Sequence, residues 1–514
     1  MKAWSFDFVL IAFLIILILN NTGLIELNVF NRIWWTYIAI FLISFRELLL
    51  LKLNVKRSYM NPGQLFIASF ILVILIGSLL LLLPGATHTG ISVVNALFTA
   101  TSAVCVTGLV VVDTGTYFTL FGQSIIMILI QIGGLGIMTF TSYFGYFFRG
   151  GTSYENQLLM KDMANTDKIA EIYRTFKKII LLTLAIECAG AIAIFICIDT
   201  ASLYGHTDPF FFSIFHSISG FCNAGFSTFS DSLYEGSIRY NYPLQGVIAL
   251  LFITGGLGFL IVFNFIKYIK HLLINRLLPP ILFKRPVHKP WVINLNARIV
   301  VITTLILLIM GTSFIYLFEA KNTLSDHQGV GKILTAFFTA ATPRTAGFNV
   351  VETSALHLPS ILLIIFLMWV GASPGSTGGG IKTSSLAVAI LNGLSLAKGR
   401  QRIELYHREI SHVSVRRAFA IMFLSLSTIG ISIFLVAFFE EGKDLLRIVF
   451  ECFSAFGTVG LSMGITAKLS TAGKLVIILT MFIGRIGALT LIIALLRKVR
   501  FVAYRHPTED ILIN

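Results

Sequence analysis

The sequence predicts an all-α membrane protein: four pseudo-symmetric helix, pore-loop, helix repeats around one pore, plus two N-terminal helices. Three observations carry that expectation. Of 514 residues, 56% are hydrophobic and only 12% charged, against about 25% charged in an ordinary soluble domain. Apolar runs at 65–83, 179–198, 299–318 and 419–439 each approach the roughly 20 residues that cross a bilayer core. Finally, one twelve-residue pattern occurs four times at nearly constant intervals, the mark of a repeat architecture. Lipid offers no partner to exposed backbone groups, so spanning segments must be helical.

The chain opens on two apolar stretches, 6–19 and 33–51. The first is not read as a cleaved signal, because no small-x-small site follows it and a second apolar stretch does. Both are taken as retained helices, giving a unit over 1–58. The four repeats then occupy 59–150, 151–272, 273–397 and 398–514, the last including the C-terminal tail.

The repeated pattern is FTATSAVCVTGL at 98–109, FHSISGFCNAGF at 215–226, FFTAATPRTAGF at 337–348 and FECFSAFGTVGL at 450–461. In each copy a Phe precedes a Gly by ten residues. The glycines are Gly108, Gly225, Gly347 and Gly460, separated by 117, 122 and 113 residues. Each copy lies between two apolar spans. The second spans are expected at 118–148, 244–269, 358–391 and 473–496, with glycine clusters at 133–136, 255–258, 378–380 and 484–487. Small residues there let helices approach closely. Eight spans and the two N-terminal ones make ten.

Charge placement sets the orientation. The connections between repeats hold six, seven and six Lys and Arg residues (149–178, 267–298 and 398–417), and the middle one has no acidic residue. By the positive-inside rule these face the cytoplasm, so the pore loops open outward. Asp113, Asp199, Asp208, Asp231, Glu235, Glu319, Asp326, Glu352, Glu440 and Glu441 flank them and would concentrate cations at an outer vestibule. The basic inner face suits anionic lipid or a soluble partner. A net charge of +15 does not imply nucleic acid, because no basic run interleaved with aromatics sits on a soluble domain. Five scattered cysteines without a CxxC pair, and no histidine at metal spacing, give no metal or disulfide framework.

Non-helical backbone at membrane depth is tolerated only where protein buries it or it lines a water-filled path. Four such loops imply a shared axis. The fourth reads Thr458-Val459-Gly460, the TVG whose carbonyl rings replace the hydration shell of K+ in channel filters. Its counterparts are Val106-Thr107-Gly108, Asn223-Ala224-Gly225 and Thr345-Ala346-Gly347. Glycine reaches the dihedrals that aim successive carbonyls inward and leaves the path open. One such glycine alone would read as a helix C-cap; four in register point to an ion filter.

The second span of the third repeat is interrupted by Gly371, Ala372, Ser373, Pro374, Gly375, Ser376, Thr377, Gly378, Gly379, Gly380, Ile381 and Lys382. Five glycines and a proline cannot sustain a regular helix, so a flexible loop lying under the filter is expected. It contains two decoys. GxSxG at 371–375 has none of the strand, His and acid that a nucleophile elbow needs, and Ile381 breaks the near P-loop ending at Lys382. No triad or metal cluster appears elsewhere, so no enzyme is expected. Arg485 stands in an apolar span, where an ionised arginine costs about 2.5 to 3.5 kcal/mol, and should face the pore or a partner. A structural ion pair is the alternative. Lys382 is expected to snorkel inward, Arg344 and Glu451 to brace the filter from behind, and Glu187 to make a helix-packing contact, with a proton or Na+ site as its alternative.

The stretches Thr342-Pro343-Arg344-Thr345-Ala346-Gly347-Phe348-Asn349, Phe453 to Leu461 and Met481-Phe482-Ile483-Gly484-Arg485-Ile486-Gly487 carry a resemblance. Over about residues 60 to 510 the chain resembles the Trk/Ktr/HKT superfamily of K+ transporters, most closely the membrane (KtrB-like) subunit of bacterial Ktr systems. The two N-terminal spans resemble the Trk arrangement and leave the subfamily open. The resemblance implies K+ held at the carbonyls of Gly108, Gly225, Gly347 and Gly460. Because all four are glycine, where some plant members have a first-repeat serine and conduct Na+, it implies K+ selectivity. It further implies an intramembrane gating loop at 371–382 working with Arg485. A homodimer on a cytosolic nucleotide-binding regulatory ring (KtrA/TrkA-like), a bacterial cell membrane location and no organic cofactor follow in the same way, with Na+ open as an activator. The K+-binding subunit of a K+-pumping ATPase and a Na+-coupled K+ symporter stay as alternatives.

Overall fold

A computed structural model of the chain describes residues 13–17, 19–20, 39, 62–136, 172–198, 208–236, 238–277, 295–400 and 402–495. The two expected N-terminal spans lie outside the described residues apart from these short pieces. Most of the first two basic connections and the C-terminal tail lie outside them as well.

The expected order of first span, pore helix and second span holds in every repeat. Repeat 1 has α1 (Pro62–Leu81), the pore helix α2 (Val93–Val104) and α3 (Leu120–Gly134). Repeat 2 has α4 (Ile172–Cys197), the pore helix α5 (Pro209–Phe221), α6 (Tyr242–Leu257) and α7 (Phe259–Leu277). Repeat 3 has α8 (Leu295–Glu319), the pore helix α9 (Gly329–Ala341), α10 (Leu358–Trp369) and α11 (Thr383–Ala397). A two-residue hairpin, β1 (Glu404–Leu405) with β2 (Arg408–Glu409), leads to repeat 4. That repeat has α12 (His412–Phe439), the pore helix α13 (Leu445–Gly457), α14 (Thr471–Ile486) and α15 (Ala488–Leu495).

The pore helices begin where the sequence can cap them. Ser92, Asp208 and Asp444 accept hydrogen bonds from the first-turn amides of α2, α5 and α13, satisfying donors that a helix start leaves unpaired. Glu319 and Glu440, at the ends of the first spans α8 and α12, hold the starts of the second spans. Glu319 accepts from the His357 amide and the Ser360 hydroxyl, and Glu440 from the Ser470 amide at 2.6 Å.

The interruption expected in the second span of repeat 3 is present, whereas the second spans of repeats 1, 2 and 4, expected to run through, break as well. Each ends at its glycine cluster: α3 at Gly136 (φ 73°), α6 at Gly258 (φ 82°) and α14 at Gly487 (φ 89°), while α10 stops before residues 370–382. A left-handed residue is the usual terminator of a helix, and glycine adopts it without a Cβ clash. Among the described residues, therefore, 177–197, Leu295–Glu319 and His412–Phe439 are the single helices long and apolar enough to cross a membrane, with the pair α6 and α7 as a bent fourth.

Among the described residues two large apolar clusters dominate the core, one mainly from repeats 1 and 4 and one mainly from repeats 2 and 3. Large side chains on the first spans point outward instead: Leu72 and Leu79 on α1, Ile192 and Ile196 on α4, Leu305 and Ile309 on α8, Phe423, Phe434 and Phe438 on α12. Apolar surface on that scale is unstable in water and natural in lipid.

Candidate functional site

The four filter-like turns close into a ring. A Cβ added to Gly108 would overlap the Ala224 carbonyl oxygen, and one on Gly225 would lie 2.9 Å from that of Ala346. A Cβ on Gly347 would overlap the Val459 oxygen, and one on Gly460 that of Thr107. The order runs 1, 2, 3, 4 and back to 1. Four main-chain oxygens, each from the residue before the glycine, lie one against each neighbouring glycine.

The turns share a backbone signature that the sequence did not reveal. The residue two before each glycine is left-handed: Val106 (φ 54°), Asn223 (61°), Thr345 (78°) and Thr458 (50°). The glycines follow at φ 89°, 68°, 76° and 95°. Left-handed geometry is uncommon for any L-residue and a genuine outlier for β-branched Val and Thr. Such positions persist only where the surroundings hold them, and they cluster at functional sites.

What holds them is a hydroxyl hook at the end of each pore helix. Ser102 and Ser454 accept from the amides of Gly108 and Gly460, both at 3.1 Å. Ser219 and Thr342 donate to the carbonyls of Phe226 (2.7 Å) and Phe348 (2.6 Å). In all four copies the carbonyl of the hook residue also accepts the amide just before the glycine, from Thr107, Ala224, Ala346 and Val459. Repeat 3 is offset by one residue here. Its hook is one place nearer the glycine, and the fully buried Phe is Phe338, not Phe337, where the others bury Phe98, Phe215 and Phe450. Counting ten residues back therefore aligned the third copy one position out.

The glycine clusters explain themselves at this level. A Cβ on Gly133, Gly255 or Gly484 would overlap the carbonyl oxygen of Val104, Phe221 or Phe456, each four residues before its ring glycine. The second spans thus press directly on the ends of the pore helices.

Residues 371–382 dock on the ring. The Thr377 hydroxyl donates to Asn223 Oδ1 at 3.1 Å, and the Gly379 amide donates to Thr458 Oγ1 at 2.9 Å. A Cβ on Gly378 or Gly379 would strike Thr345 or Thr458, so a side chain at either place would force the loop away. Its outer flank is tied to repeat 2, with Ser373 and Thr377 amides donating to the carbonyls of Gly256 (3.0 Å) and Gly255 (3.5 Å). Its ends meet where Val370 pairs with Ile381.

Arg485 reaches the same place from repeat 4, in the position that Gly134 and Gly256 hold in repeats 1 and 2. One guanidinium nitrogen donates to the Thr377 carbonyl and the other to the Gly133 carbonyl at 2.5 Å. The partners are main-chain oxygens of the loop and of repeat 1. Lys382 does not run toward water as its length allows. It folds back to donate to the Gly378 carbonyl at 2.6 Å, a nearer acceptor that the irregular loop leaves free.

The remaining charged candidates are each held by hydrogen bonds to neighbouring elements. Arg344 donates to Thr304 on α8 at 3.3 Å and lines a cavity of about 20 Å³ with Phe252, Leu308 and Ala372, room for about one water. Glu451 accepts from Ser462 at 2.8 Å and from Thr466, tying the segment that leaves the fourth turn to α13. Glu187 accepts from Gln131 on α3 at 2.9 Å, a contact between spans. His216, which no sequence pattern singles out, bridges the Phe212 carbonyl and the Ser227 hydroxyl inside the second turn.

A lipid-facing helical body carrying four re-entrant turns that meet in one ring of carbonyls defines a membrane protein for passing ions. The chain belongs to the TrkH family of cation transport proteins, whose family model matches residues 28–500, a family of transporters and not of enzymes. The chain is similar to Ktr system potassium uptake protein B of Bacillus subtilis, 38% identical over 461 residues, covering 89% of this chain and 98% of that one. It is also similar to Ktr system potassium uptake protein B of Vibrio alginolyticus, 37% identical over 89% of this chain and 96% of that one. The potassium/sodium uptake protein NtpJ of Enterococcus hirae is 34% identical over 89% of this chain and 98% of its own. In fold it matches the potassium transporter TrkH from Vibrio parahaemolyticus, with a TM-score of 0.69 at 18% identity over 96% of this chain and 97% of the other.

Proposed function

We propose that this chain is the translocating subunit of a K+ uptake system, in which K+ passes inward through the ring of Gly108, Gly225, Gly347 and Gly460. The observation that carries this reading is the closed ring itself, with the carbonyls of Thr107, Ala224, Ala346 and Val459 set against the neighbouring glycines. A dehydrated K+ needs several oxygen ligands of moderate field strength, which main-chain carbonyls supply. The carboxyl ends of four pore helices run into the ring, and each carries a partial negative charge that favours a cation there. No step makes or breaks a covalent bond. The electrochemical gradient supplies the driving force.

In this reading residues 371–382 and Arg485 form the gate. The loop fills the space beside Asn223, Thr345 and Thr458, and the Arg485 guanidinium spans from Thr377 to Gly133 on the side the loop leaves uncovered. Its charge repels a K+ leaving the filter. Opening requires the loop to give up its hydrogen bonds to Asn223, Thr458 and repeat 2, which other contacts of the protein can bias. We infer that a homodimer sits on a cytosolic nucleotide-binding ring for this purpose, because the Bacillus and Vibrio alginolyticus relatives are named as Ktr system proteins and the inter-repeat connections are basic. The same names favour a Ktr-type uptake system over the K+-binding subunit of a pump.

The test is rescue of a bacterium deficient in K+ uptake at low external K+, with and without Na+. Rescue is the expected outcome, and the Na+ arms separate a channel from a Na+-coupled carrier, a distinction raised by the potassium/sodium uptake name of the Enterococcus relative. Correctly inserted protein that gives no K+ uptake would overturn the proposal.

A further inference from the structure

Three of the four left-handed residues beneath the filter glycines carry polar side chains, and these form a chain of hydrogen bonds with the loop. Thr377 Oγ1 donates to Asn223 Oδ1 at 3.1 Å, and Asn223 Nδ2 donates onward to Thr345 Oγ1 at 3.2 Å. Independently, the Gly379 amide donates to Thr458 Oγ1 at 2.9 Å. Asn223, Thr345 and Thr458 are fully buried. The loop therefore touches the filter of repeats 2, 3 and 4 through the very residues whose backbone is strained.

The two kinds of residue respond differently to losing those bonds. Asparagine visits the left-handed region readily, whereas a β-branched threonine does so only under constraint. Thr345 and Thr458 hold φ 78° and 50°, and their hydroxyls are part of what holds them. When the loop leaves, Thr458 loses its donor and Asn223 loses the bond that orients its amide toward Thr345. The filter of three repeats is then less constrained than in the closed state.

We propose that Asn223 is a positioning residue of the filter, held by Thr377 and in turn holding Thr345, so that the state of the loop alters ion selectivity as well as flux. This rests on the reading of the ring as a filter and of 371–382 as its gate. Repeat 1, with Val106 at the matching place, stands outside the hydrogen-bonded chain and acts as its fixed reference.

The experiment measures K+ and Na+ flux per inserted molecule in proteoliposomes for the intact chain, T377V, T377S, T345V, N223A and the T377V/N223A pair. T377V removes the hydroxyl at nearly constant shape and should shift the K+/Na+ ratio by about threefold or more, the size expected of one net hydrogen bond. T377S keeps the hydroxyl and should restore the original ratio, which a merely structural role of the loop would not require. T345V removes Asn223's acceptor at nearly constant shape where Thr345 packs on Gly378, leaves the loop's hydrogen bonds to Asn223 and Thr458 in place and should reproduce the shift. The T377V/N223A pair should shift no further than N223A alone. If T377V raises both fluxes by one factor and leaves the ratio unchanged, or T345V leaves it unchanged, the coupling is overturned while the gate reading stands. A chain lacking residues 375–380 whose flux equals that of the intact protein would instead remove the gate reading.

Discussion

The carbonyl oxygen of Thr107 lies where a side chain on Gly460 would begin, so the first and last repeats are neighbours and the ring has no gap. That contact is the closing member of four equivalent ones. Each of the four ring glycines is favoured on two counts: a Cβ there crowds the next repeat's oxygen, and φ values of 68° to 95° disfavour any side chain.

Gly108→Ser tests the ring at one corner. Gly108 sits at φ 89° with the Ala224 oxygen in the path of any Cβ, so the substitution must displace one carbonyl. K+ over Na+ preference in uptake should fall by about tenfold or more, equivalent to about 1.4 kcal/mol of differential binding. An unchanged preference in correctly inserted protein would contradict the assignment.

Arg485→Ala tests the gate. It removes two hydrogen bonds, to the Thr377 and Gly133 carbonyls, and, in the proposed reading, the charge that would oppose K+ leaving the ring. K+ flux per inserted molecule should rise several-fold, and removal of 375–380 should act in the same direction. Equal or lower flux in both would remove the gate.

The positions of these parts were legible in the sequence to different depths. Four glycines at a fixed place in a repeated pattern, and a run of five glycines and a proline in one span, survive as patterns because each reflects a local need for a residue without a side chain. The left-handed Val106 and Thr458 were not legible, since no local propensity places a β-branched residue there. Tertiary contacts impose that geometry. The breaks at Gly136, Gly258 and Gly487 were missed for a related reason: an apolar run reads through a glycine that the structure uses as a terminator. The offset of Phe338 and Thr342 in the third repeat was hidden because Phe337 and Phe338 are adjacent and both satisfy the pattern.

The hydroxyl hooks give a prediction about stability. Ser454 is buried and accepts from the Gly460 amide at 3.1 Å. Ser454→Ala strands that amide at a cost of about 1 to 3 kcal/mol, visible as a lower thermal unfolding midpoint and a weaker K+ preference. Ser454→Thr keeps the acceptor and should lose less of both. Equal losses in the two variants would mean that shape, not the hydrogen bond, matters at this place.

Glu440 gives the stability a pH dependence at the end of α12. Burial works against its ionisation, but hydrogen bonds from Lys443 and from Ser470 outweigh burial and hold its carboxyl below the ordinary value of 4.5. A group whose pKa is depressed on folding stabilises the fold above its unfolded value and loses that contribution as pH falls. Thermal stability should therefore decline as pH drops below about 4.5, and Glu440→Gln should lower it at neutral pH while flattening that decline. A variant as stable as the parent at neutral pH would contradict this role.

The central claim is tested most directly by locating the ion. Crystals grown with Rb+ or Tl+ in place of K+ would report its position by anomalous scattering. The peak should lie on the axis between Gly108, Gly225, Gly347 and Gly460, bounded by the carbonyls of Thr107, Ala224, Ala346 and Val459. Well-ordered turns with no peak between them, or a peak only at a site away from the ring, would contradict it.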